Sequence, residues 1–194
     1  MTPRDLNARI KAAAAEVGFE RCGVARAAAI GRGEYVRWWL AQGMAGSMEY
    51  LHRHPEKRLD PRELLPGAKS AIVVALAYKP PLNQSRDREG ADSDAPAASP
   101  LNKGGPRGVG EPRGRVAMYA WGEDYHDVLR DKLRELEQKI RAVVSEPFEC
   151  RICVDTAPII ERELAASAGV GWMAKNTLVI DPELGSFFFL GVML

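Results

Sequence analysis

Cysteine is scarce: three in 194 residues. A single Cys-x-x-Cys occurs, Cys150 and Cys153 in "FECRICVD". A zinc site takes four ligands, and a second pair is missing. A thioredoxin-type pair sits at a helix N-terminus. This pair lies in a strand-like run, where positions three apart face opposite ways. With Cys22, these read as ordinary strand cysteines, small and apolar. Long apolar runs are also missing. None approaches the roughly 18–20 residues that span a bilayer, so no membrane partner is expected. The opening "MTPRDLNARI" is charged and lacks the apolar core of a signal peptide. Few cysteines and no export signal place the expected compartment in the reducing cytoplasm. Neither sign of charge dominates: Lys+Arg 27 against Asp+Glu 26 leaves +1. That balance argues neither for nor against nucleic acid, since a basic patch can hide in a neutral total. No internal repeat is visible.

What is present suffices for one good core and falls short of two comfortable domains. Thr2-Pro3 caps and starts a helix over 3–17, with Leu6, Ile10, Ala13, Ala14 and Val17 at helical spacing and Gly18 as its stop. "RCGVARA" follows as a short strand. Residues 34–52 read as two short helices broken between Gly43 and Gly46. "SAIVVALAY", 70–78, is an apolar run of strand length, expected to be buried and central. Residues 80–114 hold Pro, Gly, Ser, Ala, Asp and Arg, the composition of a flexible surface loop. "RVAMYAW", 115–121, predicts a strand. Asp124 caps a helix whose stripe is Val128, Leu129, Leu133, Leu136, Ile140 and Val143. "FECRICV" predicts another strand, and Pro158 the first turn of a helix reaching Ala168. "TLVI" and "SFFFLGVML" predict two strands joined at "DPELG".

The stretch "AGVGWMAKNT" contains Gly169-x-Gly171-x-x-Ala174. That spacing signals a dinucleotide-binding turn only where it follows a strand and opens a helix. Here it follows a helix and leads into a strand. Gly169 reads as a helix C-cap and Gly171 as a second unusual backbone angle. A nicotinamide or flavin oxidoreductase is therefore disfavoured.

"VDTAPIIERELA", "AGVGWMAKN" and "GSFFFLG", with "WGEDYH" upstream, occur in one order, and the chain resembles the epoxyqueuosine reductases from its first helix to Leu194. Only the loop at 80–114 lies outside the likeness. The resemblance implies an α+β fold, a mixed β-sheet flanked by helices, like the nitroreductase-like corrinoid-binding fold. It implies a cobalamin-dependent oxidoreductase of queuosine biosynthesis that reduces epoxyqueuosine to queuosine in tRNA. In the family, electrons pass through two [4Fe-4S] clusters held by a ferredoxin-like segment. Eight thiolates are needed at four per cluster, and three cysteines cannot supply them. The expectation is one cobalamin-binding domain over 1–194, without the iron–sulfur segment and served by an external electron donor. A non-catalytic corrinoid-binding or remnant protein is the alternative.

By this resemblance Asp155, in "VDTAP", matches the proton donor; read locally, it is a cap at the start of a helix. Arg58, in "EKRLDP", matches a cobalamin-contacting arginine, whose cationic fork suits amide oxygens or a phosphate. Ala117, Val179 and Leu190 fall where the family brings backbone close to the corrin. Lys175 and Asn176 are expected to line the same cavity. Tyr125 and His126 match the family's "DYH", with His126 structural and not a cobalt ligand.

Overall fold

The computed structural model describes residues 2–78 and 117–194. The loop expected at 80–114 lies outside the described residues. Helix α1 spans Pro3–Val17. Thr2 accepts the Asp5 N–H while Asp5 reaches back to the Thr2 N–H, a reciprocal cap, and Gly18 closes the helix at φ 93°. β1 (Arg21–Arg26) leads to α2 (Gly33–Ala41), a 3₁₀ turn at Glu49–His52 and α3 (Pro55–Leu59). β2 spans Ser70–Ala77 and α4 Tyr125–Val143, with Asp124 capping the His126 N–H. β3 (Ile152–Cys153), α5 (Glu161–Ser167), β4 (Trp172–Met173), β5 (Val179–Ile180) and β6 (Phe188–Met193) follow.

The main sheet has the order β1-β2-β6-β3, and β4 and β5 form a separate pair. All these pairings are antiparallel, where a mixed sheet was expected. β2 runs as a continuous apolar strand because both of its faces are covered. Ile72 and Val74 join the α1–α4 side with Ala14, Leu129, Leu133 and Leu136. Ala71, Val73 and Ala75 join the α5 side with Leu164, Ala165, Val179 and Val192. Fully buried Leu129, Leu133 and Leu136 each contribute roughly 1.5–3 kcal/mol by leaving water.

Four local expectations change. In place of the strand over 115–121, the described residues show a 3₁₀ turn at Met118–Ala120, with Tyr119 and Trp121 exposed. "FECRICV" contributes only Ile152–Cys153, which meets the end of β6. The helix after Asp155 begins at Glu161, three residues past Pro158. Gly169 does follow α5 at φ 72°, as a C-cap glycine should, but Gly171 is no left-handed residue. A Cβ at Gly171 would strike the Ile180 carbonyl, so it lets the turn after α5 touch β5. β5 and β6 are joined at Asp181–Gly185, whose backbones exchange two 2.9 Å bonds. Asp181 is buried there, paired with Arg21 and accepting from the Glu183 and Leu184 N–H groups.

Candidate active site

β3 ends beside the first turn of α4, and the chain leaves it through Val154 and Asp155. Asp155 adopts φ 52°, a left-handed conformation that Asp tolerates better than most residues. Its side chain is 62% exposed and opens into a cleft. Because Asp124 caps α4, Tyr125 and His126 occupy the first turn and meet Asp155. The Tyr125 hydroxyl donates to Asp155 Oδ2 at 3.0 Å. His126 Nε2 stands 3.3 Å from the same oxygen, and Nδ1 lies 2.7 Å from Asp124 Oδ1. Both ring nitrogens therefore face carboxylates. The Tyr125 ring lies flat on Phe189 of β6, 4.2 Å between centroids and 3° between planes. Asp155 caps no helix: Ile160 holds the N-cap of α5 and makes no side-chain cap bond.

The electrostatics of this cluster differ by residue. The bond to Asp124 is the main cause that raises the His126 pKa, and Asp155 adds to it. The His126 backbone N–H and ring hold Asp124 low. Burial first, then the bond to Asp155, pushes Tyr125 up to about 12. Burial likewise lifts Glu161 to about 7. Glu161 Oε1 accepts the Asp155 N–H at 2.8 Å. Sequence reasoning missed Glu161, because a glutamate in "IIERELA" reads as an ordinary helix charge.

The cleft has a volume of about 870 Å³. Trp39 and Leu40 of α2 line one part; Val179, Phe188 and Leu190 give apolar lining; Asp155, Glu161 and Arg162 give it a polar rim. Arg58 also lines it. One of its terminal nitrogens donates to the Tyr50 carbonyl at 3.0 Å, and its guanidinium lies 5.7 Å from the Tyr50 ring centre. Its Nε is buried and has no partner among the described residues. Of the residues singled out from sequence, the cleft thus brings together Asp155, Arg58, Val179 and Leu190. Ala117, Lys175 and Asn176 are not among its described lining residues. Ala117 is exposed before the 3₁₀ turn, and Lys175 and Asn176 occupy the exposed β4–β5 turn, where the Asn176 side chain accepts the Leu178 N–H. All three cysteine thiols are free and raised by burial, Cys22 and Cys153 to about 11 and Cys150 to about 12.

A cluster of titratable side chains on a large, partly apolar cleft is the usual arrangement of a small-molecule site. The family described as "Epoxyqueuosine reductase QueG, DUF1730" matches residues 58–156, half of the chain. The chain belongs to the epoxyqueuosine reductase family. It is 40% identical over 190 residues to an epoxyqueuosine reductase of Xanthomonas campestris, an alignment covering 97% of this chain and 48% of that one. A crystal structure of epoxyqueuosine reductase with an epoxyqueuosine-modified tRNA-Tyr stem loop aligns at TM-score 0.75 and 31% identity, over 98% of this chain and 45% of that chain. An epoxyqueuosine reductase from Bacillus subtilis, solved with an aspartate catalytic loop swung out of the active site, aligns at TM-score 0.72 and 30% identity, over 98% and 45%. The chain spans about half the length of the curated relatives it matches.

Proposed function

We propose that this chain is the cobalamin-binding, acid-bearing portion of an epoxyqueuosine reductase, acting on epoxyqueuosine in tRNA. The observation that carries the reading is Asp155: an open carboxyl on the cleft, joined to a tyrosine hydroxyl and a histidine. The cleft fits a large cofactor in kind. Its volume sits high in the range of small-molecule sites, its lining is partly apolar, and Arg58 Nε is a buried donor without an acceptor among the described residues. Arg58 would hold an amide or phosphate oxygen of the cofactor, with Val179 and Leu190 against its flat face. Bound cobalamin supplies reducing electrons.

Removing an epoxide oxygen breaks two C–O bonds and forms a C=C bond. It consumes two electrons and two protons and releases water. Protonating the departing oxygen is the task of Asp155, a step typically worth 10²–10⁴-fold in rate. His126, whose protonated form the carboxylates of Asp124 and Asp155 favour, returns the proton, and Asp124 opens to solvent. Tyr125 is held protonated and fixes the Asp155 carboxyl by its hydrogen bond. The relative with a swung-out catalytic loop supports assigning such mobility to the Asp155 turn. The eight thiolates of two [4Fe-4S] clusters, and the electron donor, lie outside these residues.

The test supplies the chain with cobalamin, a strong chemical reductant and an epoxyqueuosine-bearing stem loop. Asp155→Asn keeps the shape and an acceptor oxygen but loses the transferable proton. It is expected to fold, bind cobalamin and turn over roughly 10²-fold or more slower. Wild-type turnover in that variant would remove Asp155 from the chemistry.

A further inference from the structure

Asp155 stands in an unfavourable backbone conformation, φ 52°, on a segment without regular structure between β3 and α5. Something must hold it there. Its N–H donates to Glu161 Oε1 at 2.8 Å. Glu161 is the first residue of α5, half-buried, and its carboxyl turns back to the cleft. Resting on the reading of Asp155 as proton donor, we propose that Glu161 is a positioning residue: its carboxylate latches the Asp155 turn to the start of α5 and keeps the Asp155 carboxyl beside Tyr125 and His126.

A carboxylate accepts an N–H more strongly ionised than neutral, so the latch has a charge state. The groups facing Glu161 are Asp155 and His126 across the turn, Tyr125 on α4, the Cys153 thiol on β3 and Arg162 beside it. Burial lifts Glu161 to about 7; the Asp155 N–H, Arg162 and His126 pull it down, and the Asp155 charge pushes it up. The latch is therefore charged above about 7 and slackens as pH falls through it.

Nuclear magnetic resonance on the whole chain tests this without substrate or cofactor. The Asp155 amide is followed against pH in wild type, Glu161→Gln, Glu161→Ala and Asp155→Asn. In wild type its shift should step at about 7. Asp155→Asn should keep that step, which assigns it to Glu161 and not to the Asp155 carboxyl. Glu161→Gln should keep the amide protected but abolish the step. Glu161→Ala should speed amide exchange roughly tenfold or more, the factor lost with one charge-assisted bond. It should also lower the His126 titration midpoint, because Asp155 withdraws, and Glu161→Gln should largely restore it. Unchanged protection or an unchanged His126 midpoint in Glu161→Ala overturns the latch. These readouts are independent of turnover, so a failure of Asp155 as the acid would leave them intact.

Discussion

His126 shows how one ring can be tuned by unequal partners. Asp124, at 2.7 Å, is the nearer carboxylate and the larger cause of its raised pKa; Asp155, at 3.3 Å, is the weaker. A raised value means that protonation stabilises the fold. That contribution is complete below the ordinary histidine range and is lost as pH rises through the raised value. The His126 ring resonances should titrate with a midpoint above 6.5, and Asp124→Asn should bring that midpoint down further than Asp155→Asn does. Equal effects would contradict the geometry. The sequence made Asp155, Tyr125 and His126 legible through motifs that sit together in two short stretches. Glu161 was not legible. Its distinguishing feature is a side chain bent back across six residues to one N–H, and no spacing in "DTAPIIE" encodes that bend. Lys175 and Asn176 went the other way: they stand near the glycine turn in sequence, yet the β4–β5 turn carries them to the exposed surface.

Elements with a strong stop and start were readable to within a residue. Thr2-Pro3 and Gly18 bracket α1, and the apolar run at 70–78 could be little other than a central strand, which ends one residue earlier at Ala77. The failures share a cause, since pairing partners decide strands and the sequence does not display them. The run at 115–121 reads as a strand, but among its described residues Tyr119 and Trp121 meet solvent, and Met118–Ala120 form a turn. "FECRICV" has strand composition, yet only two of its residues reach β6. Gly171 is the element-scale test. Its hydrogen faces the Ile180 carbonyl and lies close to Val179. Gly171→Ala should cost about 1–3 kcal/mol through overpacking, a fall in Tm of roughly 2–12 °C for a chain of this size. Lys175→Ala, on the exposed turn, should stay within about 0.5 kcal/mol. Thermal unfolding of the two variants compares them directly, and a Gly171→Ala variant as stable as wild type would disprove the close approach.

For the molecule as a whole, the cleft draws on α2, α3, α5, the β4–β5 pair and β6, so ligand binding reads out the entire α5 side of the sheet. Purified chain mixed with cob(II)alamin under anaerobic, reducing conditions should shift the cofactor's visible spectrum and carry it through gel filtration. Arg58→Ala should weaken retention by roughly tenfold, the worth of one bond from a charged donor. Cobalamin that elutes free from wild type would count against the proposed function. Among the described residues no helix is long and apolar enough to cross a membrane.

The order β1-β2-β6-β3 sets a timetable for synthesis. β2 emerges from the ribosome early, and the strand that covers its second edge is encoded more than a hundred residues later, at Phe188–Met193. Until β6 arrives, the hydrogen-bonding edge of "SAIVVALA" stays open, and loop closure over that separation is slow. A nascent chain halted before β6 thus carries an apolar strand with a bare edge, the feature that recruits chaperones or seeds association. The strand that forms the wall of the cleft at Leu190 is also the one that closes the second edge of β2.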